Sequence, residues 1–483
     1  MFMSDDKYDR LKRIPNWSQE KLAQAKVAVF GCGALGNEVL KNLALLGVGN
    51  IWVVDYDTIE KHNLTRSVLF RESDIGRYKA EVVAERVKEL NPDSQVHPIL
   101  GKLEFAFGRG LLREMDVAFG CLDGIGARRE LNERCYFAGV PWIDGGIGHN
   151  SGNVALFDPR VSETACYQCA MDNFAWEKLN ERYPCPRGYL QDNYEEAKIA
   201  TTIMTASVTA AYQVEVAVQL LIREESYLQP GSQLFLPVTI PKGFDTTKLN
   251  VAKKCRIHSS LLKKQEREIH KVSLDNTPRQ VAEKIGLSND WELELLFDYV
   301  FEFTCSCGYV ETVRKPKKEI KESEAKCPQC GNSRRAAIEG FRVTSQSEEA
   351  DCSFFDLGLC EREILQYVDD QLRVDIEIES KVQETVSDSV ANRQKVGLPN
   401  PEYITVTVWD CTTNYSKIVD VPLDMSLGDF KAAAKDVFNL DAQIPICLRL
   451  MRTGTDVNTQ DTFQTAGIQN NDQFELVVCT TGC

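Results

Sequence analysis

A glycine-rich turn between a short apolar run and an amphipathic segment constrains this chain more than any other feature. Lys26-Val-Ala-Val-Phe30 reads as a buried strand, and Gly31-Cys-Gly-Ala-Leu-Gly36 follows it directly. The apolar-periodic run through Leu46 reads as a helix that Gly47 can end. Asn50 to Val54 then reads as a second strand finishing at Asp55, which makes the segment a βαβ unit. Gly31, Gly33 and Gly36 let the backbone approach a phosphate without an intervening Cβ, and the N–H groups that open the helix point at the anion. Asp55, nineteen residues past Gly36, suits a ribose hydroxyl. Asp116 to Leu122 and Pro141 to Asp144 read as further buried strands with helical sequence between them. Residues 1–262 are therefore expected to form a doubly wound, Rossmann-like α/β sheet.

The chain is 483 residues long, more than one hydrophobic core usually organises, and about three folded units are expected. From 263 to 381 the sequence turns charged and carries a cysteine pattern at its centre. The segment 382–401 is polar, holds Gly397, Pro399 and Pro401, and reads as a linker. In 402–483, Tyr403 to Asp410 and Lys417 to Val421 alternate like strands, Ser426 to Phe438 reads as a capped helix, and Ile446 to Met451 and Gln473 to Val478 read as two more strands. This β-β-α-β-β order resembles the α+β ubiquitin-like β-grasp.

Composition excludes several classes. A net charge of −15 repels nucleic acid and anionic membrane at long range, so neither is expected as a partner. Residues 201–223 have helical apolar spacing, but Gln213, Glu215 and Gln219 interrupt it, and the expectation is a buried core helix rather than a membrane span. The opening Met1-Phe2-Met3-Ser4-Asp5-Asp6 lacks the order of a secretory signal, and a cytoplasmic location is expected. Seventeen cysteines in such a compartment point to metal ligands and thiol chemistry rather than disulfides.

The turn and Asp55 taken alone would indicate a nicotinamide-dependent oxidoreductase, or a Rossmann scaffold without catalysis. Asn63-Leu-Thr-Arg66 and Lys79 add two cations and an amide after the acid, which suits a triphosphate. Attack at an α-phosphorus develops charge on the phosphoryl oxygens and the departing pyrophosphate, and preorganised Arg and Lys stabilise it. Asp123, in Cys121-Leu-Asp-Gly124 after a buried strand, offers hard oxygen to Mg²⁺ against those phosphates.

On Gly31-x-Gly-x-x-Gly36, Val-Val-Asp55-Tyr-Asp57, Asn63-x-x-Arg66, Lys79 and Asp123, about half of the chain resembles the adenylyltransferases of molybdopterin and thiamine biosynthesis and the adenylation domains of ubiquitin-activating enzymes. The resemblance implies that ATP is the nucleotide, that Asp55 holds the ribose, that Arg66 and Lys79 hold the phosphates, and that Asp123 holds Mg²⁺. It implies activation of a ubiquitin-like protein for conjugation, or alternatively of a sulfur-carrier protein, with a conjugating carrier enzyme as a further partner. It also implies a homodimer in which an arginine near the N-terminus reaches the partner's triphosphate. Tyr8-Asp-Arg10 looks like that motif, with Arg13 as a nearby competitor.

Cys166-x-x-Cys169 and Cys255-x-x-His258 supply three thiolates and an imidazole, a ligand set for tetrahedral Zn²⁺. The family commonly has cysteine pairs in both places, so His258 is a departure that still permits zinc. Cys305-Ser-Cys307-Gly and Cys327-Pro-Gln-Cys330-Gly form a second set of zinc-ribbon type, which the resemblance does not explain. Both zinc sites are expected to be structural, since four protein ligands leave no open position. Cys185, between Pro184 and Pro186 and flanked by Arg182 and Arg187, is the candidate nucleophile for a thioester, against the alternative of a plain loop cysteine. Cys32, Cys121, Cys135 and the tail cysteines are the other candidates for the nucleophile.

Overall fold

The computed structural model of the chain describes residues 6–171, 200–223, 225–238, 243–252, 255, 257–258, 269–369, 373–379, 403–410, 415–422, 426, 430, 446–450, 455–456 and 473–478. Cys185, the 382–401 segment, most of the expected helix at 426–438 and the last five residues lie outside these. Met1–Val382 form one compact unit and Gln383–Cys483 a second.

The first unit begins with α1 (Gln19–Gln24), which Ser18 caps by accepting from the Lys21 N–H at 3.3 Å, and continues into β1 (Lys26–Phe30) and α2 (Ala34–Leu46). Gly47 ends α2 at φ 78, a left-handed conformation that favours glycine. β2 (Asn50–Asp55), α3 (Lys79–Leu90) and β3 (Gln95–Leu100) follow, then the short α4 (Leu103–Ala106) and α5 (Arg109–Leu112), β4 (Val117–Gly120) and α6 (Ile125–Ala138). β5 (Trp142–Ile147), β6 (Ser151–Phe157), α7 (Tyr167–Ala170), α8 (Ile203–Arg223), β7 (Ser232–Pro237) and β8 (Asp245–Lys248) complete it.

These strands make one eight-stranded sheet in the order β3-β2-β1-β4-β5-β6-β7-β8. The first five are parallel, as the doubly wound expectation required. Beyond β5 the sheet departs from that expectation, because β6, β7 and β8 run antiparallel to their neighbours. Chain length explains the reversal at β6: only Gly148-His-Asn150 separates it from β5, and a parallel return needs a crossover of roughly a dozen residues.

Period-2 alternation buries β1 on both sides. Val27 and Val29 join a core with α2, α3 and α8, whereas Ala28 and Phe30 join a core with α4, α5 and α6. The sheet is thus covered on both faces, and its strand order reverses between β1 and β4, where the carboxyl ends of those strands leave a crevice. α8 is long and apolar enough to cross a membrane by length and composition, yet Ala210, Val214, Ala217 and Val218 lie in the core beneath it.

A second sheet in the same unit comprises β9 (Ile269–Ser273), β10 (Glu292–Thr304), β11 (Val310–Pro316), β12 (Arg335–Thr344), β13 (Ile364–Val368) and β14 (Arg373–Glu379). Its order is β11-β10-β13-β14-β9, with β12 also on β10. The helix α9 (Pro278–Lys284) opens on a capping box from Thr277 and Gln280, and Val281 and Ala282 pack on a core of Trp291, Leu293, Tyr367 and Ile376. Buried charge joins the two sheets. Glu363 accepts from Arg134 Nη1 at 3.0 Å and Arg109 Nε at 2.7 Å, and Arg362 pairs with Glu114 at 2.6 Å.

In the second unit, β15 (Tyr403–Asp410), β16 (Tyr415–Pro422), β17 (Ile446–Leu450), β18 (Thr455–Asp456) and β19 (Gln473–Val478) form a sheet ordered β16-β15-β19-β17-β18. β15 and β19 are parallel and the other pairs antiparallel. Within the expected helix, the Phe430 N–H donates to Ser426 O at 3.0 Å and the Phe430 ring is buried. The short β18 was not read from the sequence.

Candidate active site

The phosphate loop follows from where its glycines stand. Gly31 leaves β1 with its N–H on Val54 O at 2.9 Å and φ +94; a Cβ there would meet Cys121 O at 2.4 Å. A Cβ on Gly36 would lie 1.9 Å from Gly31 O, so this glycine lets α2 pack directly on the turn. Gly33 has nothing within 4 Å of its Cβ position and is the open face of the loop, at the N-terminus of α2. A phosphate fits against that face, with free helix N–H groups to bind it.

Asn37, in the first turn of α2, ties this loop to the next. Its Nδ2 donates to Cys32 O at 2.7 Å and Gly33 O at 3.0 Å, and its Oδ1 accepts from the Leu69 N–H at 3.0 Å. The segment after Arg66 is thereby fixed beside the helix N-terminus. Sequence reading passed over Asn37, although a fully buried amide on an otherwise apolar helix face was a usable signal.

Asp55 ends β2 with its carboxylate turned back to the loop, accepting from the Cys32 N–H at 2.6 Å and the Asp57 N–H at 2.8 Å. Burial raises its pKa, against the nearby Lys79 charge and those two N–H groups. Each oxygen keeps a lone pair for a ribose hydroxyl. Lys79, the first residue of α3, is buried and holds Asp57 Oδ2 at 2.7 Å. Burial works to lower its pKa, but Asp55 and Asp57 more than offset this and the net shift is upward, so the ammonium stays charged. Asp57 is thus the counter-ion of Lys79, a role the sequence did not reveal.

Asn63 is spent on its own turn, its Oδ1 accepting from the Glu60 N–H at 2.9 Å. Arg66 Nη1 donates to His62 O at 3.0 Å from the end of that turn. Asp123, just beyond β4, is exposed, and among the described residues no hydrogen bond or ion pair engages its carboxylate. An unengaged carboxylate two residues past the Cys121 carbonyl that packs on Gly31 fits a hydrated Mg²⁺ ion.

Arg10 stands apart from this group. It is exposed at the start of a single 3-10 turn, Leu11–Arg13, and its neighbour Tyr8 accepts from Asn91 Nδ2 at 3.0 Å, just beyond the last residue of α3. A Cβ on Gly47 would touch the Tyr8 hydroxyl at 2.5 Å. This segment therefore sits at the end of α2 opposite the phosphate loop, about 20 Å away for a helix of that length.

Both expected ligand sets come together. Cys166 Sγ lies 3.8 Å from Cys169 Sγ and 3.5 Å from Cys255 Sγ, and Cys169 Sγ lies 3.3 Å from His258 Nδ1. In the second set, Cys305 and Cys330 are 3.5 Å apart and Cys307 and Cys327 3.6 Å apart. A tetrahedron of Zn–S bonds near 2.3 Å has edges of about 3.8 Å, so both clusters could hold zinc. The described cysteines of the first unit are free of disulfides.

Two further polar residues span the ends of the strands. Arg128 joins the carbonyls of Leu122 and Gly145, and Gln213 of α8 donates to Gly120 O at 3.3 Å and Ile143 O at 3.0 Å.

Comparison with known proteins bears on this arrangement. The chain is 36% identical to SUMO-activating enzyme subunit 2 of Dictyostelium discoideum over 31% of its length and 22% of that protein. It is 32% identical to molybdopterin-synthase adenylyltransferase of Escherichia coli (strain K12), over 31% of this chain and 60% of that enzyme. A crystal structure of E. coli MccB with ATP overlaps 53% of this chain and 74% of that one, at 24% identity and a TM-score of 0.43. The chain thus spans less than two thirds of the length of these curated relatives. Residues 6–256, more than half of the sequence, match the ThiF family, and the chain belongs to it.

Proposed function

We propose that this chain activates a small ubiquitin-like or sulfur-carrier protein by ATP-dependent adenylation of its C-terminal carboxylate. The observation that carries this reading is the crevice between β1 and β4, where the open face of Gly33, the buried Asp55 and the Asp57-held Lys79 share one strand end with the unengaged Asp123. The substrate carboxylate attacks the α-phosphorus, the bond to pyrophosphate breaks, and a mixed acyl–phosphate anhydride forms. Asp55 orients the ribose, while Lys79 and Arg66 stabilise charge gathering on the phosphoryl oxygens and pyrophosphate. Lys79 shifts from Asp57 toward the phosphates when they arrive. Mg²⁺, held by Asp123, neutralises the triphosphate when bound. Arg10 is too far from its own loop to serve it, which supports a homodimer in which it serves the partner's. Both metal clusters hold structural zinc, the second as a zinc ribbon on the β10, β11 and β12 strands.

The second unit is read as a β-grasp, since parallel β15 and β19 lie at the centre of a sheet ordered β16-β15-β19-β17-β18. That module favours the conjugation branch, in which Cys185 converts the adenylate into a thioester as AMP leaves and a carrier enzyme receives the product. Transfer to a sulfur donor is the alternative.

The test is ATP–pyrophosphate exchange with purified chain and candidate Gly-ending small proteins. Exchange that requires the small protein and is lost in Asp123→Ala supports the reading. Full exchange by that variant, or tight NAD binding by the wild type, would sink it. A thiol-sensitive adduct that disappears in Cys185→Ala while the adenylate still forms would separate conjugation from sulfur transfer.

A further inference from the structure

Asp123 lies on a loop that nothing on its own side chain holds, yet a metal-binding carboxylate must be presented in a fixed direction. The peptide just before it is held from below. Arg128, in the first turn of α6, sends Nη2 to Leu122 O at 2.7 Å and to Gly145 O at 3.2 Å, bridging the ends of β4 and β5. Its Nε lies 3.1 Å from Oδ1 of Asp144, whose side chain is 6% exposed, an ion pair without hydrogen-bond geometry. Tyr167 borders the same guanidinium. The Tyr167 N–H donates to Asn132 Oδ1, one turn along α6, at 3.1 Å.

A buried ion pair contributes little net stability, because desolvation of both charges consumes the Coulombic gain, and an apolar pair would pack as well. What the guanidinium supplies is direction: a rigid plane that sets Nη2 on two carbonyls while Nε faces a carboxylate. We infer that Arg128 is a positioning residue, paired with Asp144, that fixes the Leu122–Asp123 peptide so that Asp123 meets the magnesium of Mg·ATP. This rests on the assignment of Asp123 to Mg²⁺ made above.

The experiment measures ATP affinity by calorimetry for the full chain, with Mg²⁺ and with EDTA. Arg128→Lys keeps the charge but has one nitrogen where arginine sets Nη2 on the carbonyls and Nε beside Asp144. Affinity for Mg·ATP should fall roughly 10- to 100-fold, as for lost supports of metal ligands, with ATP affinity in EDTA unchanged. Placed on Asp123→Asn, the same substitution should have no further effect on Mg·ATP. Arg128→Met combined with Asp144→Leu, which leaves no buried charge unpaired, should reproduce the loss. Equal losses with and without Mg²⁺, unchanged Mg·ATP affinity, or additive losses on Asp123→Asn would each overturn the inference alone. A wild type whose ATP binding ignores Mg²⁺ would instead overturn the reading of Asp123 itself, and the inference with it.

Discussion

Glu363→Gln tests what holds the two sheets of the first unit together. The Glu363 side chain is 1% exposed, with Oε1 2.7 Å from Arg109 Nε and Oε2 3.0 Å from Arg134 Nη1; Arg134 itself is 3% exposed. Glutamine keeps the shape and one acceptor but turns an N–H₂ group toward a guanidinium, leaving a buried cation uncompensated. Removing one partner of a buried pair costs about 3–5 kcal/mol. With a urea m-value near 3 kcal/mol/M, the midpoint should fall by about 1 M. Tryptophan fluorescence suits the assay, because Trp142 and Trp291 are buried on the two sides of the junction. The effect should also depend on pH. Burial works to raise the Glu363 pKa, but Arg134 and Arg109 more than offset it and the net shift is downward from 4.5. A depressed carboxylate contributes stability that is full above its unfolded value and lost as pH falls through the folded one. The gap between wild type and variant should therefore be largest at pH 7 and narrow below about pH 4.5. A midpoint shift under about 0.3 M at pH 7, or a gap that persists on acidification, would refute the argument.

Gly36→Ala would place a methyl 1.9 Å from Gly31 O, so α2 must move off the turn; we expect a stability loss of about 1–3 kcal/mol and loss of ATP binding, read by melting and calorimetry. Elemental analysis should return two zinc ions per chain, and one or none would show that a cluster has been over-read. Chains carrying Arg10→Ala and chains carrying Lys79→Ala should each be inactive in pyrophosphate exchange yet regain part of it when mixed. No recovery in a mixed dimer would remove Arg10 from the partner's site.

The parts of the fold that were legible in the sequence are those whose signal is local. β1, the glycine turn and α2 sit in one short stretch with a clean change of period, and Gly47 marks the helix end in both sequence and structure. Both metal clusters were legible for the same reason, since each ligand pair announces itself by spacing. The second sheet was not. β10 runs Glu-Leu-Glu-Leu-Leu-Phe-Asp-Tyr-Val-Phe-Glu-Phe-Thr, and register shifts against both β11 and β12 break its alternation near Val300. Its apolar face is decided by partners 31 to 76 residues away, which periodicity within a window does not see.

The candidate site divides along the same line. Gly31, Gly33, Gly36 and Asp55 could be read because a phosphate loop needs particular residues at particular intervals. Asn37, Asp57, Arg128, Asp144 and Gln213 could not be assigned roles, because each acts by joining segments that only the sheet brings together. Gln213 shows the difference: in the sequence it marks only a break in an apolar helix, whereas in the fold it is fully buried with its amide nitrogen on the carbonyls of Gly120 and Ile143. A Cβ on Gly145 would strike that amide at 2.3 Å, so the glycine in β5 and the glutamine in α8 answer each other across 68 residues of sequence. Burying an amide costs free energy unless it is bonded; here the two Nε2 donations close the strand ends that frame the crevice, while the buried Oε1 has no partner among the described residues. The polar groups that shape this site are therefore recognisable as the residues that break the apolar pattern of the elements carrying them.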